Sequence, residues 1–227
     1  MNTGAKINKN EFSCSVYKPK PVYDFLKRIF DFLFSLIAII LFSPIFLIIL
    51  IMIKIDDPKG SVIYVSDRVG KNGKIFKFYK FRSMCTDADT KYSDLLCTNE
   101  TGGPTFKMKD DPRVTRVGKF IRKTSLDELP QFFNVLKGDM SLVGPRPEVP
   151  YHVEHFKEEI PRYLVRQQVR PGCTGWAQIH GLRGDTDIAE RIRYDIWYIE
   201  NWTVALDIKI IFRTVFGGKM VNDEKLQ

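Results

Sequence analysis

The chain contains no Cys-x-x-Cys pair, no Gly-x-Gly-x-x-Gly turn and no Gly-x-x-x-x-Gly-Lys-Ser/Thr loop. The two glycine patterns supply backbone N–H cradles for dinucleotides and nucleoside triphosphates, so their absence argues against both chemistries. Its four cysteines (Cys14, Cys85, Cys97 and Cys173) are scattered without framework spacing, which fits a reduced compartment for most of the chain. There are only three histidines. His152 and His155 have neither a cysteine nor a fitting carboxylate beside them and read as solvated helix residues, while His180 reads as structural or peripheral. Ser125 has no His and Asp partners in the pattern of a hydrolase triad. Zinc-finger, RNP and basic-zipper patterns are all missing, so nucleic acid is not an expected partner.

The absence with most consequence is that of charge between Phe32 and Ile53, a stretch of Phe, Leu, Ile, Ala and Met broken by Ser35, Ser43 and Pro44. It has the length of a membrane segment. It begins too far from Met1, runs too long and ends too abruptly, in Lys54-Ile55-Asp56-Asp57, to be a cleaved signal peptide. A spanning helix should show a Lys/Arg bias toward one side, yet Lys27 and Arg28 precede the run and Lys54 and Lys59 follow it. Proline at position 44 removes a helix hydrogen bond and crowds the preceding turn. A kinked spanning helix is one reading; the basic flanks favour the other, a re-entrant hairpin returning to the face it entered.

What is present divides into a polar tail (1–20), a re-entrant membrane element (21–55), a cytoplasmic catalytic domain (56–217) and a short C-terminal tail (218–227). Val62–Arg68 and Lys74–Arg82 read as strands around Gly70-Lys71-Asn72-Gly73, a hairpin turn signal. Thr86–Asp111 reads as a long loop. Helical pattern is expected at Val117–Lys123, at Leu126–Leu136 with Ser125 as N-cap, and near Val149–Glu159, Ile188–Tyr198 and Ala205–Phe216. Trp197, Tyr198, Trp202, Phe212 and Phe216 suit either an amphipathic interfacial helix or core packing. The fold class is therefore mixed α/β and helix-dominated: a re-entrant membrane hairpin, a small β-hairpin and amphipathic interfacial helices.

The net charge of +8 asks for phosphate or anionic lipid as a partner. The chemistry concentrates between Asp111 and Glu148, where Arg113, Arg116, Lys119, Arg122, Lys123, Lys137 and Arg146 surround the acidic pair Asp127-Glu128. Any one of these cations could simply be a solvated helix charge. The flanking Pro145 and Pro147 stiffen the loop that presents Arg146, whose planar fork suits phosphate. A carboxylate can attack phosphorus, and a divalent cation can offset its repulsion from a diphosphate.

The string SLDELPQFFNVLKGDMSLVGPRPE resembles the signature of the bacterial sugar transferases, monotopic phosphoglycosyl transferases acting on polyprenyl phosphate. The resemblance extends through KRIFDFLFSLIAIILFSPIF, RVGKNGKIFKFYKFRSM, VRPGCTGWAQIHGLRGD and YDIWYIENWTVALDIKI, covering about Pro21 to Gly217. It implies transfer of a sugar phosphate from a UDP-sugar to undecaprenyl phosphate with release of UMP, initiating exopolysaccharide, capsule or glycoprotein glycan assembly. It implies Asp127 as nucleophile, Glu128 as its partner carboxylate, and Mg²⁺ held by Glu128 and Asp127. Arg122 and Arg146 would hold phosphates, Arg183 would lie near the sugar nucleotide, and Asp207, at an acidic position of the family, joins them as a substrate-binding residue, where a helix-cap or surface role serves equally well. Ser43-Pro44 matches the family's helix-breaking pair. The expected setting is the cytoplasmic face of a bacterial inner membrane, with UDP-sugar, undecaprenyl phosphate and membrane lipid as partners and a homodimer left open. The sugar is not chosen: the IHGLRGD segment and the ENWTVALDIKI tail resemble members using hexoses such as glucose or galactose. Two other classes stay in view: a catalytically silent membrane-anchored binding protein, and a basic peripheral protein holding anionic lipid or RNA by charge alone.

Overall fold

A computed structural model of the chain describes residues 17, 19–88, 90–91, 108, 111–184 and 186–217. Nearly all of the expected N-terminal tail, most of the Thr86–Asp111 loop and the C-terminal tail lie outside the described residues. Helices dominate, with two small sheets and one long apolar N-terminal helix.

That helix, α1, runs from Pro21 to Asp56. Pro21 opens it with a preset φ where no intrahelical N–H is needed. The expected break at Ser43-Pro44 is not a break in the helix, which continues through Pro44. The reason is local: proline leaves the Ile40 carbonyl without its usual donor, and the Ser43 hydroxyl donates to that carbonyl at 2.7 Å. By composition and length α1 could cross a membrane. Its middle, around Ile40, Leu41 and Leu47, is exposed, but both ends grip the rest of the protein. Near the start, Arg28 donates to the carbonyls of Val135 (2.6 Å) and Leu136 (2.7 Å), and Asp31 accepts from the Leu142 N–H. Near the end, Ile49 and Ile53 pack with Phe81 and Ile121, and Asp56 accepts from the Val117 N–H at 3.0 Å.

The hairpin forms as expected. Strands β1 (Ile63–Val69) and β2 (Ile75–Phe81) pair antiparallel, with Tyr64 opposite Lys80. Asn72 and Gly73 take positive φ (55° and 75°) in the turn, the conformation an Asn-Gly pair tolerates best. Helix α2 (Arg116–Lys123) is capped by Thr115, whose hydroxyl accepts from the Gly118 N–H. Gly118 lets α2 lie against the chain after β2: a Cβ there would sit 2.0 Å from the Ser83 carbonyl oxygen.

The helix expected over Leu126–Leu136 is divided. Leu126–Glu128 forms a 3-10 turn, and α3 begins only at Gln131 and ends at Lys137. Pro130 stands at the division, where it cannot continue a helix begun upstream. Ser125 is not the N-cap expected of it: it adopts a left-handed conformation (φ 56°) and makes no capping bond.

A second sheet, not foreseen, pairs β3 (Ser141–Val143) with β4 (Gly172–Thr174) in parallel. The contact continues past β3, where Gly144 donates to Thr174 and Gly172 donates to Pro145. A Cβ on Gly172 would lie 2.1 Å from the Gly144 nitrogen, so glycine is what allows this approach. Helices α4 (Pro150–Glu159), α5 (Trp176–Ile179), α6 (Ile188–Glu200) and α7 (Val204–Phe216) complete the body. Its core joins Phe76 and Phe78 of β2 to Val135, Met140, Val143, Ile192, Ile196 and Ile210. Of the C-terminal aromatics, Tyr198 and Trp202 are core, whereas Trp197, Phe212 and Phe216 are exposed.

Asn134, fully buried on α3, acts as a surrogate strand neighbour for β2. It accepts from the Tyr79 N–H at 3.0 Å and donates to the Lys77 carbonyl at 2.6 Å. Asn134→Ala strands both backbone groups and opens a small void, so urea unfolding of the solubilised protein should show a loss of about 2–4 kcal/mol.

Candidate active site

The acidic pair lies where three chain reversals meet. The left-handed Ser125 turns the chain after α2 and delivers Asp127 and Glu128 in a single 3-10 turn. Lys80 reaches them from β2, Arg146 from the Gly-Pro-Arg-Pro loop after β3, and Arg183 from a turn whose glycines, Gly181 and Gly184, both take positive φ. Together they line a cleft of about 870 Å³ that also takes in Tyr64, Arg68, Arg82, Ser83 and Arg122. Arg122 donates through Nε to the Ser83 hydroxyl at 2.8 Å.

The two carboxylates sit in opposite electrostatic states. Glu128 Oε1 is 2.7 Å from Arg146 Nη2 and 3.0 Å from Lys80 Nζ, and Oε2 is 3.5 Å from Arg183 Nη2. Burial alone would raise its pKa, but Arg146, Lys80 and Arg183 together hold it well below the usual carboxylate range. Asp127 is buried and, among the described residues, meets only Lys80 at salt-bridge range, at 3.5 Å. Its pKa is raised, chiefly by burial and secondarily by the charge of Glu128, against the attraction of Lys80, Arg122 and Arg146. One cationic set thus locks one carboxylate and leaves its neighbour the less committed.

Behind the cleft a second, buried ionic layer fixes the two arginine-bearing loops. Arg166 pairs with Asp195 at 2.8 Å and donates to the Arg146 carbonyl at 2.8 Å. Arg191 pairs with Glu148 at 3.2 Å and donates to the Gly184 carbonyl at 2.6 Å. It therefore ties the residue two beyond Arg146 to the residue after Arg183. Arg68 adds a bond to the Pro147 carbonyl at 3.2 Å. In this layer burial pushes Asp195 up to about 6, while Glu148 is held at about 2, where His152, Arg166, Arg191 and Arg68 outweigh burial.

Asp127, Glu128, Arg122, Arg146 and Arg183 all line the one cleft. Asp207 does not. Its carboxylate is buried and accepts from Lys27 (2.5 Å), Tyr198 (2.6 Å) and Trp202 (3.1 Å), joining α1 to α6 and α7. That buried strut replaces both the substrate contact and the surface role expected of it, and the cap of α7 is Thr203. Ser43 and Pro44 lie in the exposed middle of α1, away from the cleft lining. Of the other basic residues near the pair in sequence, Arg113 turns to Asp111 at 2.6 Å, Lys137 bonds Tyr79, and Arg116, Lys119 and Lys123 do not line the cleft. His152 lies 3.7 Å from Glu148 and is largely buried, rather than solvated, while the more exposed His155 lies 3.4 Å from Glu159. Sequence reasoning missed Lys80, Arg166, Arg191, Glu148 and Asp195. The available signal was Arg191 and Asp195 falling on the same helical face as Ile192, Ile196 and Ile199, where lone charges would not be buried.

The chain belongs to the bacterial sugar transferase family, whose sequence profile matches residues 22–219. It is 49% identical over 199 residues to the UDP-N-acetylgalactosamine-undecaprenyl-phosphate N-acetylgalactosaminephosphotransferase of Aeromonas hydrophila, covering 87% of this chain and 44% of that protein. It is 44% identical over 210 residues to the UDP-glucose:undecaprenyl-phosphate glucose-1-phosphate transferase of Escherichia coli K12, covering 87% and 43%. With the undecaprenyl-phosphate galactose phosphotransferase of Salmonella typhimurium the identity is 47% over 194 residues, covering 84% and 40%. The chain thus spans less than half the length of each of these relatives.

The opposed carboxylates make a thermal prediction whose signs differ. Glu128, with its pKa lowered, contributes stability that is present at neutral pH and lost as pH falls through the depressed value. Glu128→Gln should therefore cost on the order of 2–3 kcal/mol at neutral pH, as a partner removed from a largely buried ion cluster does. Asp127, with its pKa raised, strains the fold when ionised, and the strain is relieved as pH falls. Asp127→Asn should leave Tm at pH 7 unchanged or raised, and a differential scan of the two variants reads both signs. Arg191→Lys cannot hold Glu148 and the Gly184 carbonyl together and should lower Tm. A double-mutant cycle with Arg183→Ala should be non-additive if Arg191 acts through that loop.

Proposed function

We propose that this chain transfers a sugar 1-phosphate from a UDP-sugar to undecaprenyl phosphate, releasing UMP through a covalent intermediate on Asp127. The observation carrying this is the division of labour within the acidic pair: a buried, weakly paired Asp127 beside a Glu128 held by three cations, in a cleft large enough for a nucleotide-sugar. The names of the relatives supply the substrate classes.

In the first half-reaction an Asp127 oxygen bonds to the β-phosphorus, the bridging P–O bond to the α-phosphate breaks, and UMP departs with the electron pair. In the second, an oxygen of undecaprenyl phosphate bonds to the same phosphorus and the Asp127–phosphorus bond breaks. The product is a lipid diphosphate sugar, and Asp127 is regenerated. One phosphoanhydride replaces another, so positioning and charge neutralisation do the work. Arg146, Arg183 and Lys80, pre-placed around Glu128, are within reach of the charge gathering on diphosphate oxygens. Arg122 lines the same cleft from the α2 side.

Mg²⁺ commonly takes one or two carboxylates and completes its shell from water and phosphate oxygens; Asp127 and Glu128 are the carboxylates lining the cleft, and Glu128 would exchange part of its contact with Lys80, Arg146 or Arg183 for the ion. Glu128, with Asp127 beside it, would hold the ion, which when bound neutralises the diphosphate.

The reaction would take place at the cytoplasmic face of a bacterial inner membrane, as the initiating step of polysaccharide assembly. Both ends of α1 hold the same body, which supports a re-entrant topology. A straight helix of this length would extend roughly 54 Å at 1.5 Å per residue, and a spanning one would carry one end across a core of about 30 Å. The exposed stripe Val204, Ile208, Phe212, Val215 and Phe216 on α7 supports an interfacial face. The relatives act on N-acetylgalactosamine, glucose and galactose donors, so the donor of this chain is open among such hexoses.

The test is UMP release by solubilised protein given undecaprenyl phosphate, Mg²⁺ and a panel of UDP-sugars. One sugar should support lipid-dependent release, reduced at least about 10³-fold in Asp127→Asn, since a missing nucleophile removes the covalent route. Because burial raises Asp127's pKa and the ionised form attacks, the acid limb of kcat/KM should lie above the ordinary aspartate value of about 3.9. Release that persists in Asp127→Asn contradicts the proposal, and a folded protein inert toward every donor leaves the membrane-anchored binding protein as the better reading.

A further inference from the structure

We infer that a second cavity, at the base of α1, binds the phosphate headgroup of an anionic phospholipid. This cavity of about 300 Å³ is lined by Lys27, Arg28, Lys71 and Arg170 with Tyr17 and Trp202 among the aromatic walls, and it shares no lining residue with the Asp127 cleft.

Its charge is unbalanced. Four cations stand against three nearby acids, each already engaged: Asp207 takes Lys27, Asp24 accepts from the Tyr17 hydroxyl and Asp31 accepts from the Leu142 N–H. Among the described residues no carboxylate lies at salt-bridge distance from Arg28, Arg170 or Lys71. Arg28 and Arg170 converge on the C-terminal end of α3 with neutral acceptors only: Arg28 on the Val135 and Leu136 carbonyls, Arg170 through Nε on the Gly138 carbonyl at 3.1 Å. Among the described residues the terminal guanidinium nitrogens of Arg170 have no acceptor, and Lys71 stands over the Tyr17 ring at 5.7 Å. Like charges gathered at a recess are costly in isolation and become favourable around an anion, and a guanidinium fork matches phosphate oxygens.

The surroundings select a lipid rather than free phosphate. The first turns of α1 that form one wall also expose Val22, Phe25 and Leu26, at 68%, 65% and 51%. Apolar side chains facing outward next to a cationic recess match a molecule with a phosphate at one end and acyl chains at the other. Tyr23, exposed on the first turn of α1 and edge-on to Trp202, is of the type that sits at headgroup level. The inference rests on α1 being embedded in a membrane, as proposed above. Occupancy of this recess would pin the point where α1 enters the bilayer.

The experiment titrates the detergent-solubilised full chain with short-chain phosphatidylglycerol, followed by native mass spectrometry. Phosphatidylcholine of the same chain length and inorganic phosphate form parallel arms. Phosphatidylglycerol should bind at least about fivefold tighter than either, and Lys71→Gln should weaken it about fivefold, the value of one cation near an anionic headgroup. Arg170→Gln should weaken it similarly, but because Arg170 also braces Gly138, Lys71→Gln is the variant that decides. Phosphatidylcholine binding equally well, phosphate binding equally well, or no effect of Lys71→Gln would each overturn the inference. UMP release and membrane fractionation, measured on the same preparations, report separately on the catalytic and membrane readings, so a failure here is distinguishable from a failure there.

Discussion

Three cations from a strand, a loop and a turn converge on the single carboxylate of Glu128, and the architecture of the cleft follows from that convergence. Lys80 comes from a strand, Arg146 from a proline-stiffened loop and Arg183 from a glycine turn, so the ion cluster fixes their mutual positions. It is stable because each positive charge is shared with a buried acceptor. The second layer, Glu148 with Arg166, Arg191 and Asp195, is a further ionic cluster and holds the backbones of the Arg146 and Arg183 loops. Asp127 is drawn in only loosely, through Lys80 at 3.5 Å. Burial makes its ionisation unfavourable, and this loose pairing is what the proposed role as nucleophile would need.

The helix α1 poses a different problem with a comparable solution. A proline in an apolar helix exposes a carbonyl that hydrocarbon cannot satisfy, and the preceding serine supplies the missing donor. The polar groups of α1 face the body: Asp31 takes the Leu142 N–H, Arg28 caps the end of α3, and Lys27 meets Asp207. The contacts of α1 with α3 and β3 place it against the elements that lead into and out of the cleft. The reaction proposed above, between a soluble nucleotide-sugar and a lipid phosphate, would require this adjacency between the apolar helix and the charged site.

Much of this was legible in the sequence because it depended on local pattern. The hairpin followed from Asn72-Gly73 between alternating residues, the helices at 150–159, 188–200 and 204–216 from their periodicity, and the acidic pair from its setting among arginines. What was not legible depended on contacts distant in sequence. The β3–β4 pair is three residues long on each side and exists because Gly144 and Gly172 can touch, which no periodicity reveals. Lys80 reads as an ordinary strand cation until Ser125 reverses the chain toward it. Asp207 reads as a surface or capping residue until α1 brings Lys27 to it. The division of the 126–136 helix was visible in Pro130, whose effect outweighed the apolar pattern that continued through it.

The central claim is that Asp127 becomes phosphorylated by the sugar phosphate during turnover. The most direct measurement is peptide mass spectrometry of protein mixed with its UDP-sugar, without lipid acceptor, and quenched in acid. The account predicts a phosphosugar adduct on the peptide carrying Asp127, formed with one equivalent of UMP and discharged when undecaprenyl phosphate is added. Turnover with no adduct at any time, or an adduct on another residue that is equally competent toward the lipid, would contradict it.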